Sequence, residues 1–158
     1  LAEVGARTFV ATFGHPYKPE DLQAFLADNH TPAEYLALVA DDRYRVWLAR
    51  HDGALIGYAV AGLCNLPVDG LERGAGEIKR LYILAGHQAA GLGTRMMDAM
   101  MLWLDEAGYD PLYISVYAGN HGAQRFYRRY GFEKILAYEF MVGTHRDPEF
   151  IFERCQAH

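Results

Sequence analysis

Cysteine is scarce in this chain. Cys64 and Cys155 are the only two among 158 residues and lie far apart, so no disulfide framework staples the fold. Two isolated cysteines read as reduced thiols, the state expected of a cytoplasmic protein. Long apolar runs are missing too. No stretch approaches the roughly 20 residues a membrane-spanning helix needs, and no basic segment followed by an apolar one marks a secretory leader. The expected partners therefore include no membrane. Positive charge is also short: 15 Lys and Arg stand against 20 Asp and Glu, a formal net charge of −5. That balance argues against nucleic acid, whose binders neutralise many phosphates. The same field suits a cationic or amine ligand. The seven histidines, among them His15, His30, His87 and His121, show no metal-ligand spacing, so no metal is expected.

What is present suffices for a single domain over 1–158, since apolar residues make up 51% of the chain and a domain of this length buries a self-sufficient core. The apolar spacing of Leu1–Phe13 predicts a helix stopped by Gly14-His15-Pro16, and Pro19–Asn29 predicts a second. Thr31-Pro32 opens a third, with Thr as cap and Pro at the first helical position. The period then changes. Tyr44–His51 and Ala54–Leu63 read as strands joined by Asp52-Gly53, a strong two-residue hairpin signal. A loop over Cys64–Gly76 leads to a strand over Glu77–Leu84. Gly91–Ala107 is the clearest helix, apolar at Leu92, Met96, Ala99, Met100, Trp103 and Ala107. Leu112–Tyr117 is a further strand and Gly119–Tyr130 a further helix, each helix stopped by a following glycine, Gly108 or Gly131. Phe132–Val142 and Phe150–Glu153 complete the strands. The order of elements predicts an α/β (α+β mixed) fold with a mixed sheet.

Gln88-Ala89-Ala90-Gly91-Leu92-Gly93-Thr94 lies between a strand and the longest helix. Glycines there let backbone approach a ligand closely. The first helical turn leaves amide N–H groups without partners, and with the helix dipole they suit a phosphate. A dinucleotide fingerprint would need a small residue where Met96 stands, and a P-loop would need a Lys after a second Gly; neither is met. A bland tight turn is the competing reading. A second constellation, Asn120-His121-Gly122-Ala123-Gln124-Arg125-Phe126-Tyr127-Arg128-Arg129-Tyr130-Gly131-Phe132, follows the strand ending in Val116-Tyr117.

In that order, the two motifs resemble the GCN5-related N-acetyltransferase (GNAT) superfamily over roughly Trp47 to Phe140. The resemblance implies a twisted, mostly antiparallel mixed sheet whose strands splay apart at the cofactor. It implies acetyl-CoA as co-substrate and transfer of its acetyl group to a small-molecule or peptide amine by direct attack. The backbone of Leu81, Tyr82 and Ile83 would meet the pantetheine, and amides from Gln88, Ala89, Ala90, Gly91, Leu92, Gly93 and Thr94 the pyrophosphate. Asn120 would hydrogen-bond the pantetheine, and Phe126 would pack on it. Tyr127 aligns with the general acid that protonates the departing thiolate. Glu77, fourteen positions before Gly91, matches the general base of some members, although Lys79 and Arg80 offer it ion-pair partners instead. One of Arg125, Arg128 and Arg129 would reach the adenosine 3′-phosphate, or all three form a solvated helix face. The family's loop has Gly and a basic residue where Ala89 and Ala90 stand, and its first strand precedes the helix in which this chain begins. The helical segment Phe9–Val39 would wall the acceptor site.

Gly143–Phe150 and the Thr-Phe pairs near the start resemble the branch that acetylates polyamines such as spermidine. Glu20, Asp21, Asp28, Glu34, Asp41 and Asp42 could attract a polycation or be ordinary helix charges. Homodimers are common in the superfamily. The competing functions are a CoA sensor or partner-binding module without catalysis, and a nicotinamide-dependent oxidoreductase, which Met96 disfavours.

Overall fold

The computed structural model describes Ala2, residues 31–88 and residues 91–156. The helices expected over Leu1–Phe13 and Pro19–Asn29 lie outside the described residues. The Thr31-Pro32 signal is met: helix α1 spans Pro32–Ala40, with Pro in its first turn and Thr31 Oγ1 accepting from the Glu34 amide at 3.2 Å. Its buried residue is Tyr35.

Strands β1 (Tyr44–His51) and β2 (Ala54–Leu63) form the expected antiparallel hairpin. Asp52 and Gly53 both take positive φ, 49° and 79°, the geometry that matches the right-handed twist of the flanking strands. Strand β2 is buried almost end to end because both of its faces are covered. Strand β3 (Gly76–Ile83) pairs with it antiparallel. The register steps from Ala61↔Ile78 to Val60↔Arg80, so Lys79 is an inserted bulge residue. Helix α2 (Leu92–Glu106) carries the chain over to β4 (Leu112–Tyr117), which runs parallel to β3. Helix α3 (His121–Arg128) and the hairpin of β5 (Glu133–Val142) and β6 (His145–Arg154) follow. The sheet order is β1-β2-β3-β4-β6-β5, mixed and mostly antiparallel.

The boundaries differ most from the sequence reading in two elements. Helix α3 starts at His121, not Gly119, because the Asn120 side chain caps it, accepting from the Ala123 amide at 3.0 Å. It ends at Arg128 because Tyr130 and Gly131 bond back only three residues, to Tyr127 and Arg128. The last strand begins at His145, not Phe150. Pro148, inside β6, has no N–H to give a ladder. It lies beyond the reach of β4, whose last paired residue, Tyr117, faces Glu149, and there only the Pro148 carbonyl is used, accepting from the Ala118 amide at 2.8 Å.

The core sits between the sheet and the pair α2 and α3. Met96, Met97, Met100, Met101 and Leu104 of α2 meet Ile78, Leu112, Ile114, Val116, Phe132 and Phe152 there. The opposite sheet face is more polar and aromatic. It carries Tyr35, Tyr58 and Val60 at one end, and Cys64, Ala75, Tyr113 and Ile151 further along.

Candidate active site

Pairing of β3 with β4 is confined to Gly76–Ile78 against Leu112–Ile114. Beyond those three pairs the strands part, so Lys79–Ile83 and Ser115–Tyr117 no longer pair with each other. A parted pair leaves backbone donors and acceptors facing a gap, and such groups require partners. Leu81, Tyr82 and Ile83, the expected cofactor-facing backbone, all lie on this stretch. Leu81 and Ile83 point toward the helix-side core, Tyr82 toward the opposite face.

The loop after β3 ends at the N-terminus of α2. Gly91 is the N-cap in the left-handed region, φ 71°, with no side-chain cap and no acidic residue in the first turn. A side chain there would be strained. The amides of Leu92, Gly93 and Thr94 occupy the turn that no helical carbonyl reaches, which makes an anion site with the dipole behind it. Gln88 folds its side chain back, Nε2 donating to the Ile83 carbonyl at 3.1 Å, which ties the loop to the strand. Ala89 and Ala90 lie outside the described residues.

Helix α3 lines the other side of the gap. Asn120 is exposed and spends its oxygen on the helix cap. Phe126 is half-buried, packed edge-on to Tyr127 and Tyr130 with ring centroids 5.3 Å apart in each case. The Tyr130 hydroxyl donates to Asp98 Oδ1 at 2.8 Å and so fixes α3 against α2. Tyr127 is held between Phe126 and Phe132. Burial pushes its phenol above the ordinary value, and the neighbouring Tyr82 adds to the rise. Tyr127 belongs to the helix-side core and Tyr82 to the opposite face, and the charge of Tyr82 acts on Tyr127 where the strands part.

Glu77 is elsewhere. It sits in the paired part of β3, opposite Tyr113, and is buried. Its Oε2 accepts from Lys79 Nζ at 2.9 Å and from the Asn65 amide at 3.1 Å. Arg80 is held by Glu34, 3.1 Å away, and lies over the Tyr35 ring. Sequence reasoning passed over a different group on the same face: Ser115 of β4, Tyr138 of β5 and Glu149 of β6, joined by hydrogen bonds of 2.7 and 3.0 Å. Their common face is set by strand register. Glu149 lies one residue before the expected strand Phe150–Glu153, so no alternation pointed to it. Of the acidic residues considered, Glu34, Asp41 and Asp42 are described, and Asp41 holds Arg43 at 2.8 Å. Glu20, Asp21 and Asp28 lie outside the described residues.

A family model described as the acetyltransferase (GNAT) family matches residues 7–132. The chain belongs to that family. An uncharacterised N-acetyltransferase of Mycobacterium tuberculosis is 29% identical over 154 residues, covering 98% of this chain and 94% of that protein. A spermine/spermidine N(1)-acetyltransferase of Bacillus subtilis is 31% identical over 84 residues, 52% of this chain and 55% of that protein. Among solved structures, the PaiA N-acetyltransferase of Thermoplasma acidophilum, crystallised with coenzyme A, superposes with a TM-score of 0.75 at 17% identity. That match covers 98% of this chain and 90% of that one. The GNAT fold is thus shared along the chain.

Proposed function

We propose that this GNAT protein transfers the acetyl group of acetyl-CoA to a primary amine by direct attack, as one domain over 1–158 acting in the cytoplasm. The observation that carries the reading is the gap where β3 and β4 part, open beside the uncapped N-terminus of α2. The residues there fit the co-substrate. The gap-facing backbone along Leu81–Ile83, apart from the Ile83 carbonyl that Gln88 takes, suits the amides of a pantetheine arm. The α2 amides from Leu92 to Thr94, beside Gln88 and Gly91, suit a pyrophosphate, and Ala89 and Ala90 would add their amides. Asn120 and Phe126 flank the arm. When bound, acetyl-CoA supplies an activated thioester. Tyr127, protonated throughout the physiological range, donates to the sulfur as charge develops on it. Glu77 is an available proton acceptor only if Lys79 swings away, since a buried ion pair resists losing one member. The cytoplasmic assignment is supported by two free cysteines, one buried and one exposed.

The half-chain similarity to a spermine/spermidine acetyltransferase supports a polyamine as the first acceptor to try. The test is thiol release from acetyl-CoA across polyamines, peptide amines, aminoglycosides and amino acids. Amine-dependent release on one class supports the reading and names the acceptor. No release on any, with CoA still raising the melting temperature, supports a binding module without chemistry.

Gly91 gives a separate prediction. Gly91→Ala leaves the site open, since nothing lies within 4 Å of the added methyl, but penalises the left-handed cap by about 1–2 kcal/mol. Calorimetry should show CoA binding weakened about 5- to 30-fold, as that energy converts to affinity, with the pH dependence of turnover unchanged.

A further inference from the structure

Strand alternation places Glu149 on the sheet face opposite α2 and α3. It stands across from Tyr117 of β4 and from Tyr138 of β5. Ser115 Oγ donates to Glu149 Oε2 at 3.0 Å, and Ser115 Oγ and Tyr138 Oη are 2.7 Å apart. Ser115 has one proton and gives it to the carboxylate, so the Tyr138 hydroxyl donates to Ser115. The result is a relay that fixes one oxygen of Glu149. Its Oε1 has no hydrogen-bond partner among the described residues.

The charge environment is unusual. Glu77 has Lys79, Glu34 has Arg80, and Glu139 has Arg146. Glu149 has no ion pair among the described residues, and the one charge that shifts it is another carboxylate, Asp147. The titratable groups facing it are Tyr82 from β3, Tyr117 from β4, Tyr138 from β5 and Asp147 on its own strand, with the Ser115 hydroxyl between them. A half-buried carboxylate without a counter-ion is costly, and an arriving ammonium group is the partner it lacks. Burial first, and Asp147 second, push Glu149 up to about 7, against the lowering effect of the Ser115 hydrogen bond. Its charge reaches Tyr82, and Tyr82 in turn acts on Tyr127. Tyr127 lies on the helix side of the sheet, and Glu149, across from Tyr117 in the parted stretch of β4, lies on the other.

We propose that Glu149 is the catalytic base, receiving the acceptor as its ammonium and taking one proton from it, a role that rests on the acetyltransferase reading above. The freed amine bonds to the acetyl carbon as the carbon–sulfur bond breaks. The sulfur keeps the electron pair and takes the Tyr127 proton. The second proton lost by nitrogen restores the Tyr127 phenol, and Glu149 releases its own proton to solvent. An ammonium and a thioester thus become an amide and a thiol, with one proton released overall.

The test is the pH profile of kcat/KM together with a carboxyl NMR titration in the absence of amine. With Glu149 as base, the wild-type rate rises to about 7 and stays level until the ammonium itself deprotonates near about 10. In Glu149→Gln only free amine reacts, so the rate climbs without levelling to about 10. At about pH 8 it should be roughly 100-fold below wild type, the loss shrinking as free amine accumulates. Ser115→Ala removes the hydrogen bond that lowers the Glu149 pKa, so the acidic limb should move upward even if the Gln variant folds poorly. NMR should show a carboxyl titrating near 7 in the wild type, missing in Glu149→Gln and raised in Ser115→Ala. An acidic limb that persists unmoved in both variants overturns the role of Glu149 and leaves the acetyltransferase reading standing. So does a Glu149 carboxyl titrating at the ordinary value of about 4.3. A wild type that turns over no amine overturns both.

Discussion

Replacing Tyr127 with Phe should lower kcat by about 100- to 10,000-fold, the range for loss of a positioned proton donor, with CoA affinity nearly unchanged. The substitution keeps the ring between Phe126 and Phe132 and removes only the hydroxyl. Burial and Tyr82 hold that phenol above its ordinary value, so it stays protonated where the enzyme works. A thiol has a pKa of about 8.5, so the departing sulfur is a weaker base than the phenolate. In the proposed mechanism Tyr127 hydrogen-bonds sulfur as its charge grows and passes on its proton only as the second proton from nitrogen replaces it, an interaction made in the transition state and not in the bound ground state. Such a contact shows in kcat and not in cofactor affinity. Single-turnover rates with CoA calorimetry check the split. A loss of CoA affinity that matches the loss of rate would make Tyr127 a binding residue.

Phe132→Ala should cost about 3–5 kcal/mol of stability, the usual range for truncating a buried aromatic ring. Phe132 is fully buried in the core between sheet and helices. Its amide donates to the Tyr127 carbonyl at 3.3 Å, and its ring centroid lies 6.5 Å from that of Tyr127. A domain has only about 5–15 kcal/mol in total, so urea titration should find the variant close to unfolded. The four core methionines of α2 are unbranched and can shift into part of the cavity, which places the expected cost nearer the lower end. Residual folded protein should also be slow, because α3 loses the packing that holds Tyr127 beside Phe132. A variant with wild-type urea midpoint would contradict the core described here.

The parts of the fold that sequence revealed are those with local physical signatures. Thr31-Pro32 shows its helix start through side-chain chemistry alone, and Asp52-Gly53 shows its turn because only such residues take positive φ cheaply. Gly91 and the run from Asn120 to Phe132 marked the proposed cofactor side, since close backbone approach and helix termini are encoded within a few residues. The opposite side is a product of register. Ser115, Tyr138 and Glu149 come from three strands, far apart in sequence, and meet only because β6 inserts between β4 and β5. The expected last strand begins at Phe150, one residue past Glu149, which leaves Glu149 out of the alternation that would have placed it on a face. Glu77 shows the converse: its position in the chain suggested chemistry, and its contacts with Lys79 and Asn65 hold it in the paired part of β3.

The most direct test uses acetyl-CoA labelled in the acetyl group, incubated with the protein and with each amine class in turn. Label should leave CoA only when an acceptor amine is present and should be recovered in amide linkage on that amine. Label that stays on CoA with every amine, or that leaves as acetate whether or not an amine is added, would contradict acetyl transfer by direct attack.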